Sequence, residues 1–118
     1  MKGKESVSKL TTVNPSTEEV LKEYEIISKE QVNSTVKQAK NAFLEWKNNI
    51  DKRADFLYAV AKELRKNKEN LAKTATQEIG KAIKEARSEV EKCAWTVEYY
   101  ADHGKSLQMT KSLTQMLE

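Results

Sequence analysis

Apolar residues recur at helical spacing along most of the chain and divide it into four stripes. The first stripe advances in steps of four and three residues through Val32, Val36, Ala39, Phe43, Trp46 and Ile50. The second contains Phe56, Leu57, Val60, Ala61 and Leu64, the third contains Leu71, Ala75 and Ile79, and the fourth contains Ile83, Ala86, Val90, Ala94, Val97 and Ala101. Because this spacing places apolar side chains on one helix face, it predicts three or four helices within about 29–48, 52–66, 69–79 and 83–103.

Residues that start or stop helices stand between these stripes. Ser28 and Gln31 have the spacing of a capping box, in which each side chain accepts a hydrogen bond from the other residue's backbone N–H. Asp51 can cap the second helix through its carboxylate. Gly80 favours a C-terminal cap after the third helix, and Gly104 is predicted to end the fourth.

The segment before the first helix follows a different pattern. In residues 13–27, β-branched and aromatic residues flank the turn-forming Asn14-Pro15-Ser16-Thr17, which predicts a short β-hairpin. Glu18 then stands where a tight turn favours Gly. Residues 1–12 are predicted to be a polar tail, and residues 106–118 form a tail to which the sequence assigns no definite structure.

Composition restricts the class of protein. Charged residues make up 33% of the chain and the formal net charge is +3, with both signs alternating along the predicted helices. That mixture, without an apolar run near the ~20 residues of a membrane span, excludes a membrane partner and disfavours a nucleic-acid partner. Three glycines and one proline argue against a fold with many tight turns. The prediction is a mainly α, cytoplasmic chain with a thin core.

Few residues offer chemistry. Cys93, the only thiol, lies beside apolar positions of the fourth stripe and is predicted to be a small buried hydrophobe. His103 is interpreted as a residue near a helix C-terminus, where the helix dipole favours it. Gly80-Lys81 lacks the upstream glycine and the following Ser or Thr of a phosphate loop. We therefore predict no catalytic, cofactor-binding or metal-binding residue in this chain.

Several short motifs nevertheless follow one another in a fixed order. They are Asn14-Pro15-Ser16-Thr17, Ala42-Phe43-Leu44-Glu45-Trp46 with Arg53 after it, Glu78-Ile79-Gly80-Lys81, Glu85-Ala86 with Glu89-Val90, and Tyr99-Tyr100-Ala101. Together they resemble the N-terminal region of the NAD(P)-dependent aldehyde dehydrogenases, and most closely the succinate-semialdehyde dehydrogenases. The resemblance covers residues 12–105, and Glu18 stands where the family usually has Gly.

The resemblance implies that residues 13–105 are the N-terminal helical part of a cofactor domain, a fragment of the aldehyde dehydrogenase α/β fold. It also implies that the family's catalytic cysteine, general-base glutamate and NAD- or NADP-binding segment correspond to no residue of this chain. Cys93 is not in the family's Gly-Gln-x-Cys context. The chain is thus expected to be a truncated scaffold segment, inactive alone, of an enzyme that oxidises an aldehyde to an acid.

A stand-alone helical module that binds itself or a partner is the alternative, and an unrelated small basic binding protein is a third hypothesis that the ordered motifs disfavour. A continuing reading frame after Glu118 would favour the truncated segment. The stripes are expected to bury Phe43, Trp46, Phe56, Leu57, Leu64, Ile79, Val90 and Val97. Because one small chain has little core to cover them, a homo-oligomer is expected, with a two-fold dimer favoured.

Overall fold

The computed structural model describes residues 8–116, apart from the side chains of residues 110–114. Two strands precede four helices along the chain. They are β1 (Lys9–Val13), β2 (Val20–Glu25), α1 (Lys29–Trp46), α2 (Ile50–Lys66), α3 (Lys68–Ile79) and α4 (Ile83–Met116). The predicted mainly α fold with an N-terminal β-hairpin is therefore confirmed.

The two strands form an antiparallel hairpin in which Lys9 lies opposite Glu25. At its turn, the Asn14 side-chain oxygen accepts a hydrogen bond from the Ser16 N–H at 2.9 Å. Glu18 has a φ of 61°, the left-handed conformation that favours glycine. The prediction that residues 1–12 are a tail is wrong from Lys9 onward, because Lys9 to Thr12 pair in register with β2 and satisfy their backbone groups there.

Helix α1 begins at the predicted capping box. The Ser28 hydroxyl accepts from the Gln31 N–H at 3.2 Å, and the Gln31 side chain accepts from the Ser28 N–H at 2.8 Å. No other described element packs along α1. Its side chains are exposed from Lys29 to Glu45, and the half-buried Trp46 marks its C-terminal end.

Helices α2 and α3 both pack along α4 and form the body of the molecule. Every fully buried residue in the described part of the chain is an alanine. They are Ala61, Ala72, Ala86, Ala94 and Ala101. Because alanine carries only a methyl group, this core has a small volume and lets helix backbones approach closely.

The sequence overestimated how many large side chains the chain buries. Phe43 and Phe56 are each 56% exposed and Ile79 is 70% exposed, so their predicted burial is wrong. The other predicted core residues are half-buried, namely Trp46, Leu57, Leu64, Val90 and Val97. Helical spacing identifies an apolar face, but it does not supply a surface to cover that face.

Ion pairs join α4 to the two helices packed on it. Arg65 of α2 bonds Glu91 at 2.8 Å and makes a two-pronged contact with Glu98. Arg87 of α4 bonds Glu69 of α3 at 2.9 Å. The hydrogen bonds from Arg65 lower the pKa of Glu91 and Glu98, and those from Arg87 lower the pKa of Glu69. These pairs fix the register of α2 and α3 against α4.

Two helix boundaries differ from the prediction. The N-cap of α2 is Asn49, whose side chain accepts from the Lys52 N–H at 3.0 Å, whereas Asp51 lies in the first turn. Helix α4 does not end at Gly104 but continues to Met116, so the 106–118 segment is helical as far as it is described. Lys105 reaches the Asp51 carboxylate at 3.0 Å and thereby holds this continuation against the start of α2.

Candidate functional site

The first candidate site is a groove of about 550 Å³ between the start of α2 and the C-terminal half of α4. We call it the α2–α4 groove. Its apolar wall includes Trp46 and Phe56, whose rings meet edge to face with 5.6 Å between centroids. Its polar wall includes Asp51, Asp102 and Lys105. The groove therefore offers an aromatic corner beside charges of both signs.

Two polar side chains of this groove differ in their hydrogen bonds. The Tyr58 hydroxyl donates a hydrogen bond to the Asp102 carboxylate, and this bond raises the pKa of Tyr58. Arg53 donates through Nη2 to Gln108 at 2.9 Å, while its buried Nε has no hydrogen-bond partner among the described residues. The raised pKa keeps the Tyr58 hydroxyl protonated, so it is not an activated nucleophile.

The two reactive side chains singled out from the sequence lie apart. Cys93 is exposed, so its predicted burial is wrong: it lies to one side of the face formed by Val90, Ala94 and Val97. His103 is ten residues further along α4, about 15 Å at 1.5 Å per residue, and the two do not pair. A cysteine nucleophile with a histidine base is therefore absent from the described residues.

His103 also differs from its interpretation. Because α4 continues past Gly104, His103 lies in the helix interior, away from any C-terminus. Its ring stacks on Tyr99 at 4.3 Å, and its Nδ1 lies 2.8 Å from the Tyr99 carbonyl oxygen. Trp95 and Tyr100 extend this exposed aromatic face. Stacking on Tyr99 and the contact with its carbonyl oxygen thus account for the position of the histidine.

Gly80 is a helix cap, as predicted. It ends α3 with a φ of 73°, and its N–H donates to the Thr76 carbonyl. A methyl group at this position would come within 3.1 Å of the Pro15 side chain, because the hairpin turn approaches it closely. Lys81 pairs with Glu89 at 2.7 Å. Gly80 and Lys81 therefore have structural contacts, and Gly80 lies where the hairpin turn approaches the helices.

Two further apolar surfaces were only partly anticipated from the sequence. The first, which we call the α1 stripe, consists of Val32, Val36, Ala39 and Phe43 on exposed helix α1. The second, which we call the α2–α3 groove, has a volume of about 380 Å³. It is lined by Phe56, Ala59, Val60, Glu63, Leu64, Asn67 and Leu71. Helical spacing indicated both faces, but it did not indicate that both would remain uncovered.

Neither a cluster of metal ligands nor a membrane-spanning helix is found among the described residues. No group of three or more His, Cys, Asp or Glu side chains lies close enough there to hold a metal ion. Within residues 8–116, no helix has the length and apolar content needed to cross a membrane.

Residues 2–117 match the model of the aldehyde dehydrogenase family, and the chain belongs to that family. The matched part corresponds to the family's N-terminal region.

Two semialdehyde dehydrogenases are among the proteins similar in sequence to this chain. The chain is 35% identical to the succinate semialdehyde dehydrogenase [NAD(P)+] of Escherichia coli K12 over 81% of its own length and 21% of the relative's. It is 38% identical to malonate-semialdehyde dehydrogenase 1 of Geobacillus kaustophilus over 92% of its own length and 22% of the relative's. The chain thus spans about a fifth of the length of these relatives.

Solved structures show the same fold. The NADP-dependent glyceraldehyde-3-phosphate dehydrogenase of Bacillus halodurans, complexed with NADP, superposes with a TM-score of 0.78 at 30% identity, over 84% of this chain and 21% of the other. The succinic semialdehyde dehydrogenase of Streptococcus pyogenes, in complex with NADP+, gives a TM-score of 0.77 at 28% identity, over 81% and 22%. The helices and hairpin are therefore arranged as in complete enzymes.

The described residues contain no strand, glycine-rich turn and helix N-terminus in sequence, the arrangement that commonly cradles the pyrophosphate of a dinucleotide. Here β1 and β2 form an antiparallel hairpin, and the αL glycine, Gly80, joins two helices. The two buried polar atoms without hydrogen-bond partners among the described residues, on Arg53 and Thr76, lie on different helices.

Proposed function

We propose that this chain is a scaffold segment of an aldehyde dehydrogenase, the full enzyme oxidising a semialdehyde to an acid with NAD or NADP. The segment supplies helices and the hairpin but no catalytic residue and no cofactor contact. The uncovered α1 stripe carries this proposal, because a helix with an apolar face and no neighbour is suited to packing on another part of a fold.

Fragment complementation tests the scaffold role. The chain is mixed with a form of the Geobacillus kaustophilus malonate-semialdehyde dehydrogenase that lacks the matched N-terminal residues, and aldehyde-dependent reduction of NAD and NADP is followed. We expect no turnover from either part alone and turnover from the mixture. Phe43→Asp in the α1 stripe should reduce the recovered turnover, and Asn41→Asp on the same helix is the matched control.

Three outcomes would contradict the scaffold proposal. Turnover by the chain alone that survives Cys93→Ala would indicate a catalytic site elsewhere in it. Turnover abolished by Cys93→Ala would instead show that this exposed thiol is reactive. A mixture without turnover, although both parts are folded by circular dichroism, would show that the chain does not dock on the remainder of the fold.

A self-associating helical module is the second candidate function. It is favoured by the continuation of α4 beyond Gly104, which exposes Leu107, Met109 and Met116 on a helix. Sedimentation equilibrium at micromolar concentration should then show a species heavier than the 13.5 kDa chain. We expect a two-fold dimer. A strictly monomeric, cooperatively melting chain would contradict this.

A further inference from the structure

We propose that in a dimer of this chain the α1 stripe of each copy occupies the α2–α3 groove of the other. This rests on the proposed self-association and adds to it the two surfaces that meet. The contact is reciprocal, so that each copy contributes one helix and one groove. It has the form of an amphipathic helix laid into an apolar groove, a common mode of protein recognition.

The exposed area supports a second copy as the occupant. The chain has an accessible surface of 10348 Å². A compact monomer of its mass would expose only about 6500 Å². A stable dimer needs to bury about 800 Å² per partner. The excess is several times larger than this, and the unpacked helix α1 accounts for part of it.

The shapes of the two surfaces agree. The α1 stripe runs from Val32 to Phe43, which corresponds to about 17 Å of helix. The α2–α3 groove follows α2 from Phe56 to Asn67, also about 17 Å, and reaches Leu71 on α3. The α1 stripe does not lie on the groove of its own chain. The rings of Trp46 and Phe56 are in contact where α1 meets α2. From there α1 extends without packing along another described element.

The charges beside these surfaces do not oppose the contact. Glu63 is the one charged residue that lines the groove in the described part of the chain, and it pairs with Lys66 of the same helix at 3.2 Å. Between Glu30 and Glu45, α1 carries Lys37 and Lys40 and no acidic residue. A seated α1 therefore brings no second carboxylate toward Glu63. Docking of two copies through their α1 stripes alone would instead bring these lysines together.

Charge insertion tests the two surfaces. Val36→Glu in the stripe and Leu71→Glu in the groove each place a carboxylate in an apolar contact, and should raise the dimer dissociation constant about tenfold or more. Gln38→Glu and Gln77→Glu add the same charge to exposed positions of the same helices and should leave it unchanged. Sedimentation equilibrium measures all four, and circular dichroism checks that each variant is folded.

Disulfide trapping tests which surfaces meet. With Cys93→Ser removing the only native thiol, a Val36→Cys chain and a Leu71→Cys chain are oxidised separately and as an equal mixture. We expect the mixture to give a cross-linked species of twice the chain mass in excess over either chain alone. Cross-linking of Val36→Cys with itself at equal or higher yield would overturn the proposal.

The possible failures are distinguishable. A dimer that Val36→Glu or Leu71→Glu leaves intact overturns this inference but keeps the proposed self-association. A double variant, Val36→Cys with Leu71→Cys, that oxidises within one chain in place of between two shows that α1 folds onto its own groove. A wild-type chain that stays monomeric overturns both the dimer and the reciprocal contact, and leaves the scaffold proposal to the complementation experiment.

Discussion

Helix α1 and helix α4 both carry an apolar stripe at helical spacing, yet they are stabilised in opposite ways. Helix α4 is held by alanines packed against α2 and α3 and by ion pairs from Arg65 and Arg87. Helix α1 packs along no described element and relies on its own capping box and backbone hydrogen bonds. A similar spacing of apolar residues is therefore found in a packed helix, α4, and in an unpacked helix, α1.

The difference shows what decides packing in this chain. The packed faces of α2, α3 and α4 combine small residues with charges that match across the contact. The α1 stripe has large residues such as Phe43 and packs along no described element of its own chain. Isolated helices of this length are marginal in water, so α1 is expected to be the least stable helix until something covers it.

Overpacking the alanine core should give the largest effect. Ala94→Leu adds volume at a fully buried position of α4, and should lower the free energy of unfolding by about 1–3 kcal/mol. The same substitution at exposed Ala42 of α1, outside the α1 stripe, should not lower it. Urea denaturation followed by circular dichroism measures both. Equal losses from the two variants would mean that α1 is packed in solution.

The second-largest effect is expected from acid, which should weaken the contact between α2 and α4. The pKa of Glu91 and that of Glu98 are lowered from the ordinary 4.5 by hydrogen bonds from Arg65. Their stabilising contribution is therefore complete above about pH 4.5 and is lost as the pH falls through the lowered values. Arg65→Gln should flatten this loss in urea midpoints measured between about pH 6 and pH 3. Lys62→Gln, on the exposed side of the same helix, is the control.

Removing the cap of α1 should have a smaller and local effect. Ser28→Ala deletes one partner of the capping box and should destabilise α1 by about 1 kcal/mol, with no change in the urea midpoint of the helical body. Hydrogen exchange of the α1 amides reports it, with Ser34→Ala as the control inside the helix. A fall in the midpoint for the whole chain would show that α1 and the body unfold together.

The smallest change in stability is expected from substitutions in the hairpin turn. Glu18→Gly relieves the left-handed backbone conformation and should stabilise the turn by about 0.5 kcal/mol. Glu19→Gly has no such strain to relieve, and should destabilise the turn by a similar amount. Amide exchange of the paired strand residues measures both changes. Similar destabilisation by the two variants would contradict the strained turn.

Local signals in the sequence predicted the start of α1 and the end of α3, because a capping box and an αL glycine act within a few residues. The end of α4 could not be predicted in this way. Gly104 weakens a helix by about 1 kcal/mol, but the contact of Lys105 with Asp51, 54 residues away in sequence, favours its continuation. Tertiary contacts at that separation leave no local pattern.

The sequence predicted that the candidate surfaces are apolar helix faces, but it did not predict that they would be exposed. The spacing of Val36 and Phe43 showed an apolar face, but the sequence did not show that this face stays uncovered while Ala94 and Ala101 are buried. Cys93 was misjudged for a related reason. It neighbours Ala94 in sequence, but one residue is a turn of about 100° around a helix and brings Cys93 out of the packed face.

The alanine core also sets how the stability of this chain depends on temperature. An unfolded chain of this mass exposes about 19,600 Å², so folding to 10348 Å² removes roughly half of that surface from water, whereas compact small domains remove about 60–70%. Because the heat capacity of unfolding follows the apolar area exposed, it should fall below the usual ~12–15 cal/mol/K per residue. The free chain should accordingly have a broad, flat stability curve, which becomes steeper once α1 is covered.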